Sequence, residues 1–518
     1  MDGPLVHDLR FHSLAMLDRL AGAKTVRRLA LLSLGTIALA ALTFTRADPD
    51  LWGHVRFGAD MVAARSVHLS DRYSFSSDRP WINHEWLAEV AMYSAYRVGG
   101  GAGLIALKLL LVVAMLAAVA VALRRHAVSP IARAALLGVA LVATVPQTTH
   151  VRPQLFSLAL FAWLLALLAR ARDSNAPPWL AVPLLAVWAN LHGGWIVGGG
   201  VLASWCAAGV LTRRSSRRDA AALAGVVLLA GAATLCNPYG IHLWSFLRDT
   251  IGFGRVDIVD WQPVYRVGPM YVVLWTLTAS VLLAAIVSAV VARSADAQAL
   301  AVAVALGMAA FRVNRLQGFF ALATVILAAP AIRRPGRDPA IADRRPVEPF
   351  WKHATALVLF VIVTVGAANV GAANAACVRV DDVFSPRPGV VDFIERQHVH
   401  GRLLTWFDWG QYAIWHLADR GIEVSIDGRR ETVYSDDVVR EHLQFYFDPA
   451  ARDAVLARLK PDYVWLPADL EAASWLPQHG WQPVFADERS VLFSRRDGSP
   501  VTTATGSLLR APRCFPEP

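Results

Sequence analysis

The chain has 518 residues, of which 55% are hydrophobic and only 17% are charged, and its mean hydropathy is positive. The apolar residues lie in long unbroken blocks rather than in alternating or heptad patterns, which predicts a polytopic α-helical membrane protein. The net charge of +10 comes from basic residues in short links between these blocks, so it indicates membrane topology and argues against nucleic acid as a partner. Four cysteines without a CxxC motif argue against zinc or iron–sulfur chemistry.

Residues 1–28 are expected to form a cytoplasmic N-terminal segment, and residues 29–373 a transmembrane domain whose first span stays uncleaved. The blocks have about the length that a bilayer core requires. About eleven of them can be delimited: 29–45, 103–123, 130–147, 154–169, 179–191, 195–212, 219–236, 270–292, 297–316, 317–332 and 353–373. The fifth and sixth are the weakest, because Pro183 and the Gly193–Gly194 pair interrupt them, and a broken or re-entrant helix is an alternative there.

The positive-inside rule orients the chain. If Lys24, Arg27 and Arg28 are cytoplasmic, every second link should be basic, as the links at 124–125, 170–172, 213–218, 293 and 333–352 are. An odd number of spans then puts the C-terminal region outside the cytoplasm, in a multi-pass protein of the cell (inner) membrane. Most chemically versatile side chains fall in the outer links, above all in a long first outer loop at 46–102, which suggests an outward-facing site.

The first outer loop begins with "RADPDLWGHVRFG", in which Asp48 and Asp50 follow the first span closely. A carboxylate at this depth lies in a low dielectric that strengthens cation binding. The next residues predict an amphipathic helix in the membrane interface, anchored by Trp52 and Phe57, with Asp50 and His54 one turn apart. This set could bind a divalent metal such as Mg²⁺ or Mn²⁺, or a metal–pyrophosphate headgroup. Alternatively, Asp48 or Asp50 caps the helix.

Three other outer segments carry candidate site residues. His84 and Glu85 in "NHEWLAEV" bind substrate or belong to a solvated surface helix. Asp260 in "VDIVDWQPV" approaches the first loop or lies in a solvated loop. Arg312 and Arg315, near the outer end of a span, contact an anionic partner or snorkel to the interface.

Acids and bases on one outer face together describe a site for a phosphate-bearing lipid headgroup held through a metal. Arginine offers bidentate contacts to phosphate. Sugar transfer from a lipid-phosphate donor fits this set, because metal and arginine would stabilise the leaving phosphate while a carboxylate activates the acceptor.

From residue 378 the apolar blocks shorten, and residues 378–496 are predicted to form a small extracytoplasmic α/β domain, followed by a tail at 497–518. Five runs have strand character: "GRLLTWF", "IEVSID", "DYVWL", "QPVFAD" and "SVLFSRR". Cys377 and Cys514 bracket this region and could pair if it faces an oxidising compartment.

Four motifs resemble one family. "TWFDWG", which comprises Trp406, Phe407, Asp408, Trp409 and Gly410, with "DG" at 427–428, resembles the W-W-D-Y-G region of oligosaccharyltransferase catalytic subunits. "DPDLWGHVR" is similar to the family's first-loop pattern, "VDIVDWQPV" to its E-x-Q-P loop, and "RVNRLQGFFALATVILA" to its Arg-bearing late span. The family belongs to the GT-C class of membrane glycosyltransferases, which use polyprenyl-linked sugar donors.

The resemblance implies a GT-C-like bundle of about 11 spans with a C-terminal extracytoplasmic α/β domain. It implies Asp48 or Asp50, together with Asp260, as catalytic residues and as ligands of a divalent metal. The expected substrate-binding residues are His54, His84, Glu85, Arg152, Arg312, Arg315, Trp406, Phe407 and Asp408. The expected partners are a lipid-linked sugar donor, membrane lipid, and an acceptor that is a protein, lipid or glycan.

The chain also departs from the family pattern. The second acidic motif should fall near 148–154, where this chain has "TTHVRPQ" without any acid. Two other functions remain alternatives: a transporter or flippase whose path would be lined by Lys108, His192 and Arg312, and a non-catalytic membrane scaffold.

Overall fold

The structure is a computed structural model that describes residues 26, 28–125, 128–212, 216–251, 258–291, 297–327, 329–332, 350–382, 385–495, 502–503 and 513–517. Most of the predicted segment 1–28 and most of the predicted tail 497–518 lie outside the described residues. So do parts of the basic links that the topology prediction used.

Two helices, Arg28–Thr43 and Phe350–Ala375, belong to one compact unit. They meet at small residues: Asn374 Nδ2 donates to the carbonyl of Ala40 at 3.4 Å, and a Cβ added at Gly371 would lie 3.7 Å from Ala40 Cα. Small residues let the two backbones approach closely, which is how apolar helices associate without a hydrophobic driving force. The two helices correspond to the predicted spans at 29–45 and 353–373.

The second compact unit comprises residues 46–333 and 379–518. Its helices before residue 333 are Leu51–Ala64, Trp86–Arg124, Pro130–Ala143, Val145–Thr148, Gln154–Ser174, Ala181–Trp188, Trp195–Thr212, Arg217–Ala233, His242–Ile251, Val264–Val267, Pro269–Val291, Ala297–Arg312 and Gln317–Leu327. Every residue of Gln317–Leu327 is buried, as expected for a helix that is apolar on all sides. The core of this unit therefore lies around that helix and the largely buried Gln154–Ser174.

Among the residues that the structure describes, four helices are long and apolar enough to cross a membrane: Trp86–Arg124, Gln154–Ser174, Pro269–Val291 and Thr355–Ala375. They coincide with four predicted spans. Four shorter apolar helices, of 10–17 residues, fall on the predicted spans at 29–45, 130–147, 195–212 and 297–316. The count of about eleven is not confirmed by these lengths.

The predicted span at 179–191 is much shorter than a full crossing. Its helix, Ala181–Trp188, has 8 residues, which rise only about 12 Å, against a bilayer core of about 30 Å. The helix ends before the Gly193–Gly194 pair, and a new helix begins at Trp195. A broken helix, the alternative suggested by the sequence, describes this region better.

The C-terminal part contains a six-stranded sheet. Its strands are β1 (Gly401–Thr405), β2 (Ile422–Val424), β3 (Tyr463–Pro467), β4 (Gln482–Ala486), β5 (Ser490–Ser494) and β6 (Thr502–Thr503). The order is β2-β1-β3-β5-β4-β6, in which β1 is parallel to β2 and β3, and β5 is antiparallel to β3 and β4. Each of the five predicted runs contains one strand. The helices of this part are Gly389–Arg396, Gly410–Leu417, Asp436–Phe447, Arg452–Leu459 and Glu471–Trp475.

The first outer loop is attached to this sheet by backbone hydrogen bonds. Val424 N donates to the carbonyl of Tyr73 at 2.9 Å, and Phe75 N donates to the carbonyl of Val424 at 3.1 Å, next to the edge strand β2. A bidentate ion pair adds to the attachment, since the two Nη atoms of Arg56 lie 2.7 and 2.6 Å from the carboxylate of Asp419. The loop is therefore part of the α/β structure.

Arg429 forms the deepest connection between the loop and the sheet. Its guanidinium donates to Asp71 Oδ1 and Oδ2 at 2.6 and 3.0 Å and to Asp427 Oδ1 and Oδ2 at 2.8 and 2.7 Å. The side chains of Arg429, Asp71 and Asp427 are 5%, 1% and 0% exposed. The guanidinium carbon also lies 5.0 Å from the ring centroid of Phe57 and 4.8 Å from that of Trp81. We call these residues the Arg429 clamp.

The helix Leu51–Ala64 forms where the sequence predicts one, but its aromatic residues are not membrane anchors. Trp52 and Phe57 are both fully buried inside the protein. Trp52 Nε1 donates to the carbonyl of Pro516 at 2.8 Å, and the ring of Phe57 contacts that of Trp81. The amphipathic pattern identified an apolar face correctly, but that face packs against protein instead of lipid.

Two cysteine predictions can be compared with the structure. Cys377 and Cys514 are each disulfide-bonded. Cys206 and Cys236 are free thiols.

Candidate functional site

Asp48 and Asp50 have different roles at the start of the helix Leu51–Ala64. Asp48 is buried, and its Oδ1 accepts the backbone N–H of Asp50 at 3.0 Å. Asp50 is the residue before the helix, but its side chain accepts no capping hydrogen bond. The capping interpretation therefore does not hold for Asp50, and of the two acids it is Asp48 that accepts a backbone N–H at this end of the helix.

Arg152 connects two of the predicted catalytic acids. Its Nε and Nη2 both donate to Asp48 Oδ2, and its Nη1 donates to Asp260 Oδ2 at 3.0 Å. Burial alone would raise the pKa of Asp48, but the charge of Arg152, assisted by His150, holds that pKa below its ordinary value. Asp48 is therefore an ionised, fully engaged carboxylate. Arg152, the base that binds Asp48, lies in the loop near 148–154, where the sequence lacks the second acidic motif.

The pKa values of Asp50 and Asp408 are shifted upward, in the opposite direction from that of Asp48. Burial and the neighbouring charge of Asp48 raise the pKa of Asp50 to about 7, despite the opposing charges of His54 and Arg152. Burial also raises the pKa of Asp408 to about 6, and a hydrogen bond from Trp406 only partly offsets it. A carboxyl group that titrates near neutral pH is suited to proton transfer.

Gly428 brings the sheet region directly against Asp50. A Cβ added at Gly428 would lie 1.7 Å from Asp50 Oδ1, and one added at Gly53 would lie 1.9 Å from Gln411 Oε1. Only glycine permits these approaches. The resemblance motif "DG" at 427–428 therefore has a specific geometric role here, because it lets the backbone contact the candidate catalytic acid.

A second group of polar residues surrounds His54. His54 Nδ1 lies 3.1 Å from Glu89 Oε1, and Asn83 Nδ2 donates to Glu89 Oε2 at 2.6 Å. Burial would lower the pKa of His54, but the hydrogen bond to Glu89 and the charge of Glu85 raise it to about 9. His54 is therefore an imidazolium held by a buried carboxylate at neutral pH.

Glu85 links this group to the turn before the helix Trp195–Thr212. Glu85 Oε1 lies 3.5 Å from His192 Nε2 and 3.6 Å from His84 Nε2. Burial would raise the pKa of Glu85, but electrostatic interactions with His84 and His192, and with His54 and Arg315, lower it. Glu85 is therefore an anion among basic groups.

His192 is neutral and is held by a backbone hydrogen bond. Burial lowers its pKa to about 3. The backbone N–H of Gly194 donates to His192 Nδ1 at 2.9 Å. Ser157 Oγ, 2.7 Å from the same Nδ1, accepts a hydrogen bond from Trp188 Nε1.

Arg315 connects the two groups of residues. Its Nη2 lies 3.2 Å from His192 Nε2, and its guanidinium carbon lies 5.8 Å from the ring centroid of Trp261, the neighbour of Asp260. Arg312 is exposed at the end of its helix. Among the contacts of the described residues, Arg315 belongs to this network and Arg312 does not.

The aromatic residues of the pentad line the C-terminal side of the site. The Trp406 ring lies 4.8 Å from that of Tyr446, and the guanidinium carbon of Arg430 lies 5.6 Å from the ring of Phe407. Both aromatic side chains are half-buried, between the end of β1 and the helix Gly410–Leu417. Both also pack against the hydrophobic core of the sheet region.

The predicted metal ligands do not fit a divalent ion as they stand. A metal shared by Asp48 and Asp260 would need the position that the Arg152 guanidinium holds. A different group, His54, Glu85 and Glu89, offers three ligand atoms within 4.8 Å of one another. A metal there would have to displace the proton of His54, since only neutral imidazole binds metal.

Sequence reasoning missed several of these residues. Glu89 lies four residues after Glu85, so helical spacing could have indicated that the two share a face. Gln411, which is 3% exposed, directly follows the resemblance pentad. His192 appeared only as a possible transport residue, and its contact with Glu85 depends on tertiary structure that the sequence does not reveal.

Comparisons with known proteins agree with the fold. The sequence matches no protein-family model and no curated protein. The apo oligosaccharyltransferase of Archaeoglobus fulgidus is similar over 86% of this chain and 70% of its own, with 11% identity and a TM-score of 0.55. Apo ArnT from Cupriavidus metallidurans is similar over 92% of this chain and 98% of its own, with 14% identity and a TM-score of 0.52. The chain has a divergent GT-C-like fold, as the sequence motifs implied.

Proposed function

We propose that this protein is a membrane glycosyltransferase that moves a sugar or oligosaccharide from a polyprenyl-phosphate-linked donor to an acceptor at the outer face of the membrane. The observation that carries the proposal is the ion-pair network of Asp48, Arg152 and Asp260, beside Asp50, whose carboxyl group lies directly against the backbone of Gly428. The GT-C-like fold supports the general class, since one of the similar structures is an oligosaccharyltransferase.

The proposed reaction uses the chain's own residues. The acceptor attacks the anomeric carbon of the donor sugar, the bond from that carbon to the phosphate oxygen breaks, and the phosphate leaves with the electron pair. Asp50 takes the proton of the acceptor, which a carboxylate near its pKa does efficiently at neutral pH. Arg152 and Arg315 contribute fixed positive charge toward the departing phosphate.

The acceptor would bind on the side of the α/β structure. Trp406 and Phe407 offer aromatic surfaces, and Asp408 offers a second titrating carboxyl group beside them. Aromatic faces suit sugar rings as well as apolar or peptide groups, so a protein, a lipid and a glycan all remain acceptor classes under this proposal.

Two observations support a location of this site outside the cytoplasm. Basic residues cluster in alternate links, as the positive-inside rule expects for the opposite side. Cys377 and Cys514 are disulfide-bonded, and disulfides persist mainly in oxidising compartments. We therefore propose a multi-pass protein of the cell (inner) membrane with an extracytoplasmic C-terminal domain.

The test compares glycans and glycolipids from cells that express the wild-type protein, Asp50→Asn or Asp469→Asn. Asp469 is exposed in a loop after β3, so its variant is a matched control for the same chemical change. We expect Asp50→Asn to lower the glycosylated product roughly 100-fold or more, the loss typical for a general base. The Asp469→Asn cells should keep the wild-type profile.

Purified protein in proteoliposomes then separates the alternatives. A transferase releases polyprenyl phosphate and forms a glycosylated acceptor. A flippase would move the lipid-linked sugar across the bilayer without breaking the sugar–phosphate bond. A scaffold would leave both products unchanged in the Asp50→Asn variant, and either outcome would refute the proposal.

A further inference from the structure

The position of Arg152 between Asp48 and Asp260 has a consequence for the chemistry of the site. The three residues come from three separate loops, and the guanidinium contacts both carboxylates with three of its five N–H groups. Asp48 is 2% exposed, whereas the side chains of Arg152 and Asp260 are 32% and 31% exposed. The guanidinium is therefore anchored at a buried carboxylate, while about a third of the Arg152 side chain is exposed.

A divalent cation and this guanidinium exclude each other. Mg²⁺ and Mn²⁺ require carboxylate oxygens at about 2.0–2.2 Å in a near-octahedral shell. Asp48 Oδ2 already accepts two N–H groups from Arg152, and Asp48 Oδ1 accepts the N–H of Asp50. An ion at this position would also meet the positive charge of Arg152, so it would have to expel the arginine to bind.

We infer that Arg152 replaces a divalent metal in this site. The guanidinium holds Asp48 and Asp260 at a fixed separation, as a shared ion would, and it supplies the positive charge. Its remaining two N–H groups match the oxygens of a phosphate, for which the planar fork of arginine is well suited. The conclusion that transfer is metal-independent rests on the proposed function. The conclusion that Asp48 holds no metal does not depend on it.

The loop sequence is consistent with this replacement. The segment "TTHVRPQ" has a base and no acid, and the base occupies the position at which it can bridge both remaining acids. Two carboxylates face one guanidinium, which leaves a net charge of −1, and Asp50 accepts no ion pair from Arg152 among the described contacts.

The first experiment measures Mn²⁺ binding by electron paramagnetic resonance on the purified full-length protein. Wild type and Asp48→Asn should bind equal amounts, because any ion at His54, Glu85 and Glu89 is independent of Asp48. Arg152→Ala should gain one bound Mn²⁺ per chain, and Arg152→Ala with Asp48→Asn should lose it again. A wild-type Mn²⁺ site that disappears in Asp48→Asn overturns the inference.

Two controls keep this test decisive. Arg152→Lys retains the charge and should gain no Mn²⁺ site, whereas a gain would show that charge at this position does not exclude the ion. If Arg152→Ala fails to fold, the comparison of wild type with Asp48→Asn decides alone.

In a transfer assay, EDTA should leave the wild-type rate unchanged, and a lost rate restored by Mn²⁺ refutes metal independence. A protein without transfer activity would refute the proposed function while leaving the Mn²⁺ result valid.

Discussion

The Arg429 clamp gives a quantitative prediction for the attachment of the first outer loop. Arg429→Met keeps much of the side-chain volume but removes the charge between Asp71 and Asp427, whose side chains are 1% and 0% exposed. Leaving a buried charge without its partner costs about 3–5 kcal/mol. Protonation limits the cost for each acid, because neutralising a carboxyl group of ordinary pKa at pH 7 costs roughly 4 kcal/mol.

Hydrogen exchange provides the assay. The cost of the unpaired buried acids vanishes once the loop detaches and both acids are hydrated, so Arg429→Met makes detachment easier. The reporter amides are those of Val424 and Phe75, whose hydrogen bonds join the loop to β2. If detachment of the loop becomes easier by about 3–5 kcal/mol, the protection of these amides against exchange falls by roughly 100- to 5,000-fold. Mass spectrometry on peptides that cover these amides measures the change.

The control is Arg440→Met. Arg440 pairs with Asp437 at 2.7 Å, but the two side chains are 62% and 86% exposed, so this pair contributes about 0–1 kcal/mol. Its variant should change the exchange of the reporter amides by less than about fivefold. If Arg429→Met behaves like this control, the clamp does not hold the loop and the electrostatic reasoning is wrong.

Three further predictions concern Asp50. The transfer rate should rise with pH through a midpoint near 7, because Asp50 accepts a proton only when ionised and its pKa is raised to that value. Asp408→Asn should move the midpoint to lower pH, since the charge of Asp408 contributes to raising the pKa of Asp50; an unchanged midpoint in a pH–rate profile would contradict this coupling. Gly428→Ala should reduce the transfer rate at least tenfold, because its Cβ would overlap Asp50 Oδ1 and displacing that carboxyl group would cost roughly 1.4 kcal/mol or more. Gly231→Ala, with open space around its Cβ, should keep the wild-type rate.

The fold was largely predictable because its signals are local. Unbroken apolar blocks gave helices at the predicted places, and the five short runs after residue 400 each contain a strand. The failures have physical causes. An apolar helix face does not reveal whether lipid or protein covers it, so Trp52 and Phe57 were misassigned, and hydropathy over 179–191 did not detect that the helix stops at Trp188.

The acids of the candidate site can be singled out from the sequence, but the contacts that join them cannot. Asp48, Asp50 and Asp260 were identified from loop position and motif resemblance. The sequence could not indicate that Arg152 would bridge Asp48 and Asp260, because that contact depends on how three distant loops fold together. Nor could it distinguish the engaged Asp48 from the titrating Asp50, since burial and neighbouring charges set the difference.

The contact of Asp50 with Gly428 joins parts of the chain that the ribosome makes far apart in time. Roughly 380 residues separate them, so at 5–20 residues per second about 20 s or more pass between their syntheses. Asp50 therefore stays partly exposed until the sheet region that contains Gly428 has been synthesised. A nascent chain that stalls before residue 428 would therefore possess its membrane helices but no assembled reaction centre.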